Sequence, residues 1–166
     1  MRIHLRELQE KDAPYMLEWM TDPSISCFFR FDAESMTIEK CRIFIDSANS
    51  SKNCKHFAIA NEEDVYLGTI SLKEINYKDW SAEYAISTRS CAHGTGAAMQ
   101  ATKEILRIAF EELGLQRVYL NVLADNVRAN AFYKKAGFVF ERKEENAVEI
   151  KGASKTLNWY YVCKEV

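Results

Sequence analysis

Apolar residues change their spacing several times along the chain, and each change marks an element. Ile3 and Leu5 alternate with polar neighbours over 3–7, the period of a half-buried strand. Ala13, Met16, Leu17 and Met20 then fall on one helical stripe, with Asp12 as the expected cap and Pro14 in the first turn. Asp22-Pro23 stops that helix, and an aromatic run, Cys27 to Phe31, follows in a loop. Thr37 is placed to cap a second helix whose inner face carries Ile38, Cys41, Phe44, Ile45 and Ala48. Period-two alternation returns at 56–60 and again from Val65 to Leu72, with Asn61–Asp64 as the turn between. The phase slips by one at Gly68-Thr69, which predicts a bulge. Asn76–Asp79 predicts another turn, and 81–87 a further strand.

Beyond residue 87 the chain changes character. A polar, small-residue loop leads into a long helix from about Gly96 to Leu113, stopped by Gly114. Residues 117–123 read as a strand buried on both faces. Asp125 or Asn126 caps a short helix that ends at Gly137, and strands near 138–142 and 156–164 close the chain. Strands with helices before, between and after them predict one α/β (α+β) domain over 1–166.

Composition narrows the function classes. A chain of 166 residues, 48% hydrophobic and 28% charged, is globular rather than disordered. With 22 basic and 24 acidic residues the net charge is −2, which argues against a main task of holding nucleic acid. No apolar run reaches the ~18 residues of a membrane span, and MRIHLRELQEKD has no apolar core of a secretory signal, so the expected location is cytoplasmic. Five cysteines, an odd number without CxxC spacing, read as reduced thiols. His4, His56 and His93 form no metal-ligand spacing, so no metal is expected.

The chemistry concentrates in Cys91-Ala92-His93-Gly94-Thr95-Gly96-Ala97-Ala98. Two glycines free the backbone to aim N–H groups into one concavity, and the following helix adds its unpaired first-turn N–H groups and its dipole. That is a phosphate cradle. A P-loop would need Gly-Lys-Ser/Thr, and a dinucleotide fingerprint a small residue where Met99 stands. The stretch resembles motif A of the GNAT superfamily of N-acetyltransferases, aligned as Arg/Gln-x-x-Gly-x-Gly/Ala. A second family signature, Asn-x-x-Ser/Ala-x-x-x-Tyr followed by Gly-Phe, is matched by Asn126, Ala129, Tyr133 and Gly137-Phe138. The opening, Ile3 to Trp19, is most similar to the RimJ/RimL branch, the ribosomal-protein N-acetyltransferase type.

The resemblance implies a mixed, mostly antiparallel sheet of about six or seven strands flanked by about four helices, splayed near 81–87 and 117–123. Acetyl-CoA would enter that gap. A backbone N–H near Ile86 or Ser87 would meet the thioester oxygen, as an oxyanion hole does. Cys91, Ala92, His93, Gly94, Thr95, Gly96 and Ala97 would hold the pyrophosphate, and Asn126, Ala129 and Phe132 the pantetheine region. Cys91 and Ala92 depart from the family pattern and remove a cation or amide, for which His93 and Arg89 are nearby substitutes. Tyr133 matches the position that protonates the departing sulfur, although Ala129, Phe132, Tyr133 and Ala136 also form an ordinary packing stripe. Asn126 also fits a plain helix cap. Glu83 fits a general base, or an ordinary exposed strand carboxylate, with Glu74 a weaker candidate. Phe28, Phe29, Arg30 and Phe31 are placed at the acceptor, or in the core as lid residues. The expected acceptor is a small amine such as a nucleotide-linked amino sugar. Alternatives are a protein N-terminus or an inactive CoA-binding sensor. The expected assembly is a monomer or homodimer, and the aromatic strand 157–163 is the expected exposed edge.

Overall fold

The computed structural model describes residues 1–28 and 32–165. Its elements are β1 (His4–Glu7), α1 (Ala13–Met20), α2 (Pro23–Ser26), α3 (Ile38–Ser47), β2 (Lys55–Ala60), β3 (Tyr66–Asn76), β4 (Ser81–Thr88), α4 (Ala97–Arg107), β5 (Arg117–Leu123), α5 (Val127–Lys135), β6 (Val139–Ile150) and β7 (Ala153–Cys163). The strands form one sheet in the order β1-β2-β3-β4-β5-β7-β6. Only β4–β5 is parallel; every other neighbouring pair is antiparallel. This is the mixed, mostly antiparallel sheet that the resemblance implies. One core lies under α4 and α5, around Ile70, Leu72, Ile105, Leu120 and Tyr160. The second lies under α1 and α3 on the other face, around Met16, Trp19, Cys41, Ile45 and Tyr66.

The phase slip at Gly68 has its cause in the register. Ile59 pairs with Gly68 but Ala60 pairs with Tyr66, so Leu67 is the extra residue of a bulge. Gly68 also lets β3 come close to β4: a Cβ there would lie 2.4 Å from the Ser87 carbonyl oxygen and 2.9 Å from Thr88 Cα. The long helix after the loop does not stay α-helical to Leu113. Residues Ile108–Glu112 widen into a π turn, with the Leu113 N–H donating to the Ile108 carbonyl at 2.9 Å.

Three local expectations are corrected. Asp12 does not cap α1. It is buried and accepts from the Gln9 N–H at 2.9 Å and from both terminal nitrogens of Arg6 at 2.8 and 2.9 Å. Asp22-Pro23 ends α1 but also starts a one-turn helix, with the Asp22 side chain accepting from Ser24 N–H. At the C-terminus β7 lies between β5 and β6, so 157–163 is an interior strand and β6 is the edge. The hairpin expected near 145–156 is present, built from the ends of strands longer than expected: β6 runs on to Ile150 and β7 begins at Ala153, with the turn at Lys151-Gly152. The length of β6 past 142 was not legible because the residues to Asn146 are exposed on both faces, leaving no alternation to read.

Candidate active site

The parallel ladder between β4 and β5 runs from Ser81–Arg117 to Glu83–Tyr119 and stops. Beyond it, β4 follows β3 as far as Thr88, while β5 follows β7 as far as Leu123. The two strands therefore diverge, and a cleft of about 680 Å³ opens between them. Its size is in the range of small-molecule sites. Ile86, Ser87 and Thr88 form one wall and Asn121, Val122 and Leu123 the other. The loop before α4 closes one end, and α5 covers the top with Asn126, Arg128, Ala129, Phe132 and Tyr133.

At the loop end, Gly94 has φ 78° and Gly96 φ 84°, the left-handed region where glycine is at no disadvantage. A Cβ on Gly94 would meet nothing within 4 Å, so the concavity is open. Thr95 shapes this loop from behind. Its hydroxyl donates to the Ala92 carbonyl at 2.6 Å and accepts from the Ala97 N–H at 3.2 Å. The N–H groups of Ala98 and Met99, in the first turn of an eleven-residue helix, have no acceptor within the helix and face an anion favourably. A pyrophosphate fits this arrangement.

A cation does lie beside the loop, though not at position 91. Arg128 reaches across from α5, its guanidinium 2.6 Å from His93 Nδ1, and both residues line the cleft. Burial, then the Arg128 charge, pushes His93 below its usual range, so the ring is neutral and accepts. Arg89, the other expected substitute, points away. It is held by Glu18 at 2.8 and 3.2 Å and by the Tyr66 carbonyl at 3.0 Å. Sequence reasoning passed over Arg128, although its place two residues after the capping Asn126 puts it on the first turn facing the loop.

Tyr133 is buried against Tyr84, Phe138 and Tyr160, with ring centroids at 5.9, 6.0 and 6.2 Å. Burial pushes its phenol up to about 12, so it stays protonated and able to donate. Asn126 caps α5 by accepting the Ala129 N–H at 3.2 Å while also facing the cleft. A second asparagine that the sequence reading missed, Asn130, fixes the helix on the sheet. Its amide donates to the carbonyls of Leu123 (3.1 Å) and Asn126 (2.8 Å) and accepts from Asn158 and Tyr160, both at 2.8 Å.

Of the predicted site residues, Ile86, Ser87, Ala92, His93, Gly94, Gly96, Asn126, Ala129, Phe132, Tyr133 and Phe28 line the cleft. Cys91 is exposed and outside it, and Ala97 is buried beneath the loop. Glu83 sits at the closed end, where the ladder stops. Its carboxylate accepts from Asn121 at 2.9 Å and lies 3.8 Å from Lys73. Glu74 lies further along the edge, with φ 50°. Phe29, Arg30 and Phe31 lie outside the described residues.

A splayed β4–β5 pair with a glycine cradle at one end and a buried phenol at the other is the framework of an acyl-CoA-dependent transferase. Residues 2–139 match the acetyltransferase (GNAT) domain family, and the chain belongs to that family. It is an N-acetyltransferase whose donor is acetyl-CoA. The chain is 29% identical over 108 residues to a spermidine N(1)-acetyltransferase of Vibrio cholerae, across 65% of this chain and 62% of that protein. It is 24% identical over 157 residues to acetyltransferase PseH of Campylobacter jejuni, across 95% and 88%. The solved Vibrio cholerae spermidine N-acetyltransferase in complex with CoA and spermine superposes with a TM-score of 0.86 at 22% identity, covering 97% of this chain and 95% of that one. Among the described residues no helix is long and apolar enough to cross a membrane, and no group of three or more His, Cys, Asp or Glu could hold a metal.

Proposed function

We propose that residues 1–166 form one acetyltransferase domain of the RimJ/RimL branch whose acceptor is a small primary amine, such as a nucleotide-linked amino sugar. The observation that carries the reading is one cleft lined, in order, by the glycine loop before α4, a stretch of β4 whose β5-facing edge is open and the Tyr133 phenol. In this reading the Gly94–Gly96 loop, the first turn of α4 and Arg128 hold the pyrophosphate, while Asn126, Ala129 and Phe132 guide the pantetheine arm. A backbone N–H at Ile86 or Ser87 meets the thioester oxygen as negative charge develops on it. The acceptor nitrogen bonds to the carbonyl carbon, the C–S bond breaks, and Tyr133 gives its proton to the departing sulfur. The proton lost by the nitrogen passes to solvent, and the phenolate is reprotonated. No covalent enzyme intermediate forms.

Glu83 is a positioning residue in this reading, since the Asn121 amide already donates to it at 2.9 Å. An acceptor of low amine pKa needs little help from a base, which favours sugar amines and α-amines (about 7.7–8.0) over lysine (about 10.4). The test is a panel of amines incubated with acetyl-CoA and analysed by mass for a 42-dalton gain. Nucleotide-linked amino sugars, polyamines and peptides with free N-termini form its arms. Acetylation confined to peptide N-termini would transfer the reading to the protein-directed alternative.

A further inference from the structure

A second cavity, of about 270 Å³, lies on the other face of the sheet, under α1 and α3. It shares Ile86 and Ser87 with the larger cleft. The sharing follows from the splay: past Glu83 no β5 ladder closes the edge of β4, so these two residues can be approached from both faces. A donor carbonyl held at Ile86 or Ser87 is thus within reach of a nucleophile arriving from the second cavity.

The walls of that cavity differ in kind. Trp19, Met20 and Phe44 give it an apolar side. The other side is a polar row on β2 and β3, made by His56, Ser71 and Lys73. His56 Nδ1 lies 2.6 Å from the Ser71 hydroxyl, and Phe44 packs edge-on against the imidazole at 5.0 Å, so the ring is fixed. Burial and the Lys73 charge push His56 below its usual range, leaving it a neutral donor and acceptor. Lys73 is the cation of the row, and its contact with Glu83 is loose at 3.8 Å. Among the described residues lining the cavity there is no carboxylate. A site for a polycation needs carboxylates, or aromatic faces without a competing ammonium. This one presents the opposite charge.

We infer that Lys73, with His56 and Ser71, makes this cavity select a primary amine bearing an anionic group, such as a phosphate, over a polyamine. The inference rests on the donor lying in the β4–β5 cleft, as set out under Proposed function. It separates this chain from the spermidine-acetylating relatives it resembles. The sugar-sized part of the acceptor lies against Trp19 and Phe44, and its anionic group faces Lys73.

Calorimetric titration of the free protein with glucosamine, glucosamine 6-phosphate and spermidine tests it, because the first two probes differ only in the phosphate. The wild type is expected to bind glucosamine 6-phosphate about 10-fold more tightly than either other probe, the size of one charge-assisted contact. Lys73→Glu is expected to abolish that preference and tighten spermidine binding, Lys73→Gln to remove the preference alone, and both to leave acetyl-CoA affinity unchanged. Thermal melts of the two variants check that they are folded, and Lys73→Gln carries the test if the charge reversal unfolds the protein. Tighter binding of spermidine than of glucosamine 6-phosphate by the wild type would overturn the inference, as would a phosphate preference unaltered in both variants. Failure of acetyl-CoA to bind the wild type would instead count against the function proposed above, since the acceptor titrations are made without it.

Discussion

Replacing Gly68 by alanine adds one methyl group at the place where β3 supports the wall of the cleft. The new Cβ would sit 2.4 Å from the Ser87 carbonyl oxygen and 2.9 Å from Thr88 Cα, both backbone atoms that cannot rotate away. Ordinary contact begins near 3.4 Å, so β4 must move by about 1 Å at Ser87 or the bulge must be rebuilt. Overpacking of this kind costs about 1–3 kcal/mol of stability. At ~3 °C per kcal/mol for a chain of this size, the melting temperature should fall by about 3–9 °C. The functional effect should exceed the stability effect, because Ser87 lies in both cavities and it or its neighbour Ile86 carries the proposed oxyanion donor. A displacement of ~1 Å in a reacting group costs on the order of 100-fold in rate. Steady-state kinetics at a temperature where the variant is folded should therefore show kcat reduced about 100-fold. A variant with wild-type kcat would refute the claim that the position of β4 at Ser87 governs transfer. A lost melting transition would leave kcat unreadable, and Gly68→Ser, whose Cβ meets the same atoms, would then fail in the same way.

Three further outcomes follow from other contacts. Arg128→Ala should weaken acetyl-CoA binding about 10-fold by removing the cation at the loop, with kcat at saturation little altered; calorimetry giving a Kd within twofold of wild type would contradict it. Asn130→Ala leaves the Asn158 amide and the Tyr160 hydroxyl buried without that partner, at about 1–3 kcal/mol each, so the melting temperature should drop by about 6–18 °C and α5 should lose protection in hydrogen exchange. Tyr133 has its folded pKa raised by burial to about 12, above an unfolded value near 10. Its contribution is therefore fully present below pH ~10 and lost as pH rises to ~12, about 2–3 kcal/mol in all. Denaturant midpoints measured across that window should fall less steeply for Tyr133→Phe than for the wild type.

How much of this was readable in the chain depended on what each residue's neighbours are. The loop glycines, the Asn126 cap and the spacing to Tyr133 are local features, and local chemistry identifies them. The slip at Gly68 was legible because a bulge shifts the alternation on the same strand. The helical stripe around Met16 hid the pairing of Asp12 with Arg6, since a short acid before Ala-Pro looks like a cap from sequence alone. Breaking that buried pair would cost about 3–5 kcal/mol, a role no propensity suggests. Arg128, Asn130 and Lys73 act on residues 28 or more positions away or across strands, and no periodicity encodes such partners. β6 was legible only to about 142, because its continuation, exposed on both faces to Asn146, carries no alternation.

The central claim is that acetyl-CoA occupies the β4–β5 cleft and that Tyr133 protonates the departing sulfur. The most direct measurement is the rate of free CoA thiol release from acetyl-CoA, with a saturating accepted amine, for wild type and Tyr133→Phe, alongside the acetyl-CoA Kd of each. The account predicts that loss of the phenol lowers kcat at least about 100-fold, the usual weight of general acid catalysis, while the Kd stays within a few-fold. Equal kcat in the two proteins would contradict the role of Tyr133, and absence of acetyl-CoA binding to the wild type would contradict the cleft assignment itself.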